Sequence, residues 1–308
     1  MIVDAHAHIY PEIKGLTGMG LTRSLGYGRA SVGNIVRQVQ PPFGERTMFT
    51  PELLIAHLDW AGVDRAVLLQ GPTYGECNDY VLDAISRYPE RLVGAAYFDP
   101  WSPNSRATFD DLVPIISRLC ALKLECSVSS GLCGINPKAK LDAPEIAWLW
   151  QDLERREKVL VLDLGAIGSK SYETDAVHSI AKSHPGIRIV IAHLAQPTPV
   201  AESDLNLWQS WLQQIDLGLL PNVWFDCASL IAFLPDEDYP YPTAARYLRL
   251  AIERIGPSKI MWGTDQPGNL KLATYPQLVK LARYHTSFLS PNEQAMVMGG
   301  TACAVYGI

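Results

Sequence analysis

Long hydrophobic runs are missing from this chain. Nowhere does an apolar stretch reach the roughly 18 residues that a membrane-crossing helix needs, so no membrane span is expected. Blocks of basic residues are missing too, and the formal net charge is −6, which argues against nucleic acid or an anionic membrane surface as the partner. A small-molecule substrate is expected instead. The six cysteines, Cys77, Cys120, Cys126, Cys133, Cys227 and Cys303, contain no CxxC pair, which excludes a zinc ribbon and a dithiol redox motif. They read as reduced thiols, most of them packing residues. No basic and apolar leader precedes the first strand, since Met1 runs directly into it, and a cytoplasmic location is expected. No GxGxxG follows a strand, which disfavours a doubly wound dinucleotide fold.

What remains is a chain of 308 residues, 48% hydrophobic and 19% charged, able to bury a large core. A single domain over residues 1–308 is expected. Short apolar, β-branched runs alternate with amphipathic segments eight times: Ile2–His8, Asp64–Gln70, Leu92–Phe98, Leu122–Ser127, Val159–Leu164, Ile187–Leu194, Val223–Cys227 and Ile260–Asp265. Helical patterns fall between them, for example from Thr50-Pro51, Asn78–Tyr88, Arg106–Leu119 and Ser203–Leu217, with a terminal helix within Asn292–Tyr306. Eight such units predict an α/β fold, a (β/α)8 TIM barrel. Ile9–Phe49 breaks the rhythm. This stretch, rich in Gly and Pro, predicts a long loop insertion after strand 1, lying over the barrel mouth as a lid. Its Arg23, Arg29, Arg37 and Arg46, with Tyr27 and Phe43, suit a carboxylate or an aromatic ring.

Strand 1 carries Asp4-Ala5-His6-Ala7-His8. Side chains at i and i+2 share one face of a strand, so His6 and His8 stand about 7 Å apart along it, a ready metal site. Active sites of such barrels form where the carboxyl ends of the strands converge. Glu125 and Lys123 end strand 4, Asp163 strand 5, His193 strand 6 and Asp265 strand 8. Acids and imidazoles at the ends of apolar strands are expensive to bury unless paired or metal-bound. Histidine and carboxylate donors suit a divalent metal, with zinc favoured and manganese or iron as alternatives.

With these motifs the chain resembles the amidohydrolase superfamily, in the branch that holds lactone hydrolases and aromatic-acid and semialdehyde decarboxylases. The resemblance rests on Asp4-Ala-His6-Ala-His8, Gln70-Gly-Pro-Thr-Tyr74, Arg91-Leu-Val-Gly-Ala95, Ala192-His193-Leu, Trp262-Gly-Thr-Asp265 and Met298-Gly-Gly-Thr-Ala302. It implies that His6, His8 and Asp265 bind the metal and that His193 holds the metal or orients its water. Glu125 matches a position where relatives place a bridging carboxylate or modified lysine, with Lys123 as the competitor. Asp163 departs from the histidine common in the family and is kept as a candidate ligand.

The activity implied is metal-dependent hydrolysis of a small carboxylated or carbonyl substrate, a lactone, ester or amide. Asp265 would be the proton acceptor, His193 would stabilise the oxyanion, and Arg23, Arg29, Arg46 and Tyr74 would bind substrate. Non-oxidative decarboxylation of an aromatic or unsaturated acid is the alternative. A metal-free lactonase, or a ligand-binding barrel without turnover, is the third reading. His57, His178, His184 and His285 fall on helices and read as solvated or capping. Asp226 reads as support for a neighbour and Cys227 as packing. The insertion and terminal helix are expected to offer a surface for a possible homo-oligomer.

Overall fold

The computed structural model describes all 308 residues. Eight parallel strands, β1 Val3–Ala7, β2 Arg65–Leu68, β3 Leu92–Tyr97, β4 Ala121–Glu125, β5 Val159–Asp163, β6 Arg188–Ile191, β7 Val223–Asp226 and β8 Ile260–Met261, pair in sequence order. The segment after β8 returns to β1. Ala5 N donates to Trp262 O at 3.0 Å, Asp265 N to His6 O at 2.7 Å and His8 N to Gln266 O at 2.8 Å. These bonds close the sheet, and the fold is the expected (β/α)8 barrel. No helix is long and apolar enough to cross a membrane.

The helices that wrap it are α1 Pro51–Ala61, α2 Asn78–Arg87, α3 Ser105–Arg118, α4 Ala147–Arg155, α5 Thr174–Ser183, α6 Leu205–Asp216, α7 Pro242–Ile255 and α8 Tyr275–His285. Local chemistry sets their ends. Thr50 Oγ1 accepts from Leu53 N at 3.2 Å ahead of Pro51, and Gly62 ends α1 in the left-handed region at φ 68°. Asp204 caps α6 by accepting from Asn206 N and Leu207 N.

Inside the barrel, Val3, Ala5, Val67, Val161 and Met261 pack against Ala302, Val305 and Tyr306. The last three lie on the terminal helix Thr301–Tyr306, which thereby plugs the amino end of the barrel. The terminal helical segment is not continuous over Asn292–Tyr306. Pro291–Ala295 and Thr301–Tyr306 are separated by a wide turn at Met296–Gly300, where the chain comes so near β1 that a Cβ on Gly299 would sit 2.7 Å from Met1 O.

Two expected strands end early. Strand 6 stops at Ile191 because His193, Leu194, Ala195 and Gln196 all turn left-handed, at φ 59°, 49°, 56° and 56°. Strand 8 stops at Met261, and Asp265 is itself left-handed at φ 58°. The insertion also differs from the loop expected of Ile9–Phe49: it folds as an antiparallel meander of Leu16–Thr17, Gly20–Gly26, Arg29–Val32 and Ile35–Gln38. Its glycines are turn residues. Tyr27 and Gly28, both at positive φ, make the two-residue turn between paired Gly26 and Arg29.

Candidate active site

A register irregularity in β1 between Asp4 and Ala7 redirects its side chains. Asp4 points outward to Thr264 and Tyr275, accepting from Tyr275 Oη at 2.8 Å and Thr264 N at 2.9 Å. Burial pushes the Asp4 carboxyl up to about 6 against these hydrogen bonds. Ala5 joins the barrel interior, while His6 and His8 turn together into the mouth with ring centroids 5.1 Å apart.

Each imidazole there is oriented through Nδ1. His6 Nδ1 lies 3.0 Å from Asp226 Oδ2, and His8 Nδ1 lies 2.8 Å from Leu69 O. Both partners accept, so these nitrogens carry the protons and the Nε2 lone pairs face the centre. Burial holds both imidazoles below their usual range, with Lys123 adding to the effect on His6 and Asp265 opposing it on His8. His8 Nε2 then stands 2.9 Å from Asp265 Oδ1, and His6 Nε2 3.8 Å from the same oxygen. Two acceptors this close suit a cation beside them. Burial opposes the Asp265 charge, yet the neighbouring His8, His193 and His6 keep the carboxyl well below its usual range. Ser229 Oγ donates to Asp265 Oδ2 and receives from Asn269 Nδ2 at 3.1 Å. A nitrogen, nitrogen, oxygen set with all three donor atoms within 4.8 Å fits a divalent cation.

The opposite side of the mouth is arranged differently. His193 stacks on His6 with centroids 4.6 Å apart, but its Nε2 faces Asp163 Oδ2 at 3.2 Å and its Nδ1 faces Ala228 O at 3.2 Å. Both ring nitrogens meet acceptors, which is the pattern of an imidazolium. Burial disfavours that charge, but Asp163, Asp265 and Asp226 outweigh it and lift His193 to about 10. Burial likewise opposes the Asp163 charge, and His193 overcomes it and holds this carboxyl well below the usual range. Gln196 Nε2 adds a hydrogen bond to Asp163 Oδ1 at 2.8 Å. Glu125 pairs across strands with Asp163, and burial, then the Asp163 charge, push its carboxyl well up, which favours its protonated form.

The six candidate metal residues therefore divide. His6, His8 and Asp265 converge; His193 groups instead with His6 and Asp226, and Glu125 and Asp163 are committed to each other and to His193. Lys123, buried on β4, puts Nζ 3.3 Å from His6 Nε2.

A cavity of about 320 Å³ opens over both clusters, lined by His8, Lys123, Glu125, Asp163, His193 and Asp265 below and by Tyr74, Arg37 and Lys271 among others above. Tyr74 lines this cavity, stacked on Tyr10 at 4.4 Å and 5.1 Å from the His8 ring. Arg23, Arg29 and Arg46 do not line the cavity. They are exposed, Arg23 and Arg29 on other strands of the meander and Arg46 beyond it, Arg23 donating to its neighbouring carbonyl; only the edge strand Ile35–Gln38 places an arginine at the cavity. Asp226 orients His6 and accepts from His193 N at 2.9 Å, as a supporting residue would. Ser229 and Lys271 were not anticipated. Ser229 follows the end of β7, a position that barrel topology makes functional, whereas nothing local marks Lys271.

The amidohydrolase family model matches residues 3–308. A curated relative, the L-fucono-1,5-lactonase of Burkholderia ambifaria, is 25% identical over 276 residues, covering 84% of this chain and 86% of that one. Among solved structures, a probable 2-pyrone-4,6-dicarboxylic acid hydrolase from Acinetobacter baumannii with citric acid bound superposes with a TM-score of 0.71 at 18% identity, covering 100% of this chain and 99% of that one. An amidohydrolase from Burkholderia multivorans with bound zinc gives 0.71 at 16% identity, with the same coverage. With its barrel, its paired histidines on β1 and a family match along almost its whole length, the chain belongs to the amidohydrolase family.

Proposed function

We propose that this chain hydrolyses a lactone, opening the ring ester with a water held over His6, His8 and Asp265. One observation carries the reading: an acceptor pair, His8 Nε2 and Asp265 Oδ1 at 2.9 Å, lies in the same cavity as a histidine whose two nitrogens both face acceptors. A site that gathers an anionic proton acceptor and a fixed cation suits addition of water to a carbonyl. Both named relatives, the sugar lactonase and the pyrone hydrolase, act by name on cyclic esters.

His6 Nε2, His8 Nε2 and Asp265 Oδ1 are the atoms that would hold a divalent cation, and the mixed nitrogen and oxygen set favours zinc, the metal bound by the structural relative from Burkholderia multivorans. When bound, it supplies Lewis acidity to the ester carbonyl and acidifies the water. Asp265, fixed by His8 and Ser229, takes the proton released as water adds. His193 balances the charge growing on the carbonyl oxygen. When the ring carbon–oxygen bond breaks, Asp265 returns the proton to the leaving alkoxide, and the product is a hydroxy acid. Asp226 keeps His6 in the tautomer that presents Nε2.

A second reading has its own observation. Lys123 Nζ, 3.3 Å from His6 Nε2, sets an amine where a cation is needed, so the same hydrolysis would run without metal. Elemental analysis together with lactone hydrolysis before and after chelation separates the two: stoichiometric metal and chelator-sensitive turnover support the first, while full activity in metal-free protein selects the second. Decarboxylation is tested beside them with hydroxybenzoates. Release of carbon dioxide with no lactone opening would overturn the hydrolase reading.

A further inference from the structure

Two cations at the rim of the cavity form no ion pair with a carboxylate. Arg37 forms no ion pair; its only side-chain contact of this kind is Nη2 to Met19 Sδ at 3.7 Å, which leaves most of its five N–H donors unspent. Lys271 forms none either. Its Nζ donates to Gln38 O at 2.8 Å, and this one bond ties the segment after β8 to the edge strand that carries Arg37. The two line one cavity, with Lys271 bonded to the residue next to Arg37. Asp265 is also within reach of Lys271, but its Oδ2 accepts from Ser229 and its Oδ1 is turned toward His8 and His6. Like charges held together at one cavity wall repel, and an anion between them turns that repulsion into two charge-assisted contacts.

We propose that Arg37 and Lys271 form a carboxylate subsite, and that the substrate is a lactone bearing an anionic carboxylate on the part of the ring away from the scissile ester. The inference rests on the lactonase reading. It assigns the insertion a role: the meander supplies the specificity element, through Arg37 and the Gln38 carbonyl that positions Lys271. The scissile carbonyl lies over His8 and Asp265 on the cavity floor, and the carboxylate reaches the rim, so neutral sugar lactones lack one of the two anchors.

The test compares kcat/KM for a carboxylated six-membered lactone and its methyl ester, in wild type, Arg37→Gln, Lys271→Gln and the double variant. Wild type is expected to prefer the free acid by roughly tenfold or more, the yield of one or two charge-assisted contacts, and the double variant to lose that preference. Equal treatment of acid and ester by wild type, or variants that slow both equally, would overturn the subsite. Calorimetry with glutarate and monomethyl glutarate reads the same subsite without turnover. Tighter binding of the dianion to wild type, lost in the double variant, supports the subsite even if neither lactone is opened, a result that would sink the lactonase reading alone. Equal binding of the two probes overturns it.

Discussion

Two histidine clusters face each other across the barrel mouth, and their charges are balanced in opposite ways. On the β1 and β8 side, His6 and His8 are neutral, each with Nδ1 committed to a fixed acceptor, and the Asp265 carboxylate beside them keeps one oxygen toward their lone pairs. On the β5 and β6 side, the His193 and Asp163 charges satisfy each other, and burial beside Asp163 pushes the extra acid, Glu125, toward its neutral form. The second cluster contains its own imidazolium, whereas the first gathers a carboxylate and two lone pairs, with Lys123 Nζ 3.3 Å from one of them. Having the same residue types therefore does not give the two sides the same chemistry; the acceptors behind each ring decide it. Leu69 O and Asp226 hold Nδ1 and turn Nε2 toward the site on one side, whereas Asp163 meets Nε2 on the other.

Substitutions on the two sides should separate in metal content before they separate in rate. The largest effect is expected of Asp265→Asn, which removes both the anionic donor and the proton acceptor. We expect metal content to fall below stoichiometry and kcat to drop on the order of 10³-fold or more, in line with the loss of a principal charged catalytic group. His8→Ala should match it in metal content. Asp163→Asn should keep its metal and still lose rate, so inductively coupled plasma measurements on all three variants, beside turnover, test the division. Metal loss in Asp163→Asn equal to that in Asp265→Asn would erase it.

The Asp163→Asn variant also has a signature in pH. Asp163 is the main force that lifts His193 to about 10, against burial. Without it burial prevails, the imidazole pKa falls toward or below its ordinary value of about 6.5, and the charge disappears as pH rises through that lower value. Wild type should hold its rate through mildly alkaline pH, while the variant, about 10²-fold slower, should lose rate between pH 6 and 8. A profile parallel to wild type would show that the His193 charge is not used. Smaller again is Asp226→Asn. It weakens the hold on His6 Nδ1 without removing a donor atom, and about 10-fold weaker metal affinity is expected, measurable by chelator competition.

How much of this was legible in the chain follows from what each feature depends on. His6 and His8 share a face because period-2 geometry is local, and eight apolar runs sufficed to predict the barrel. The insertion misled because Gly26, Gly28 and Gly33 look the same in a loop as in hairpin turns; the alternating pairing of Arg29–Val32 with both neighbours is what distinguishes them. His193 could be placed at the end of strand 6. Its left-handed turn through Gln196, which lets Gln196 reach Asp163, has no glycine to announce it. The rim cations were the least legible, since Arg37 differs from Arg23, Arg29 and Arg46 only by lying on the edge strand whose Gln38 meets Lys271, 233 residues beyond that glutamine.

The least disruptive substitution gives the sharpest test of the second cluster. If Glu125 is protonated toward Asp163, Glu125→Gln replaces one neutral donor with another of nearly the same shape, and no buried charge changes. Rate and metal content should then stay within about twofold of wild type, because an isosteric neutral swap in a satisfied network disturbs little. If Glu125 were instead an ionised ligand bridging a second ion, the same change would remove an anionic donor, and the metal stoichiometry measured on a fully loaded sample would fall from two toward one. A carboxylic-acid band in the infrared difference spectrum between wild type and Glu125→Gln at neutral pH completes the test. Its absence, with a carboxylate band in its place, would move Glu125 to the metal-binding side and end the contrast between the two clusters.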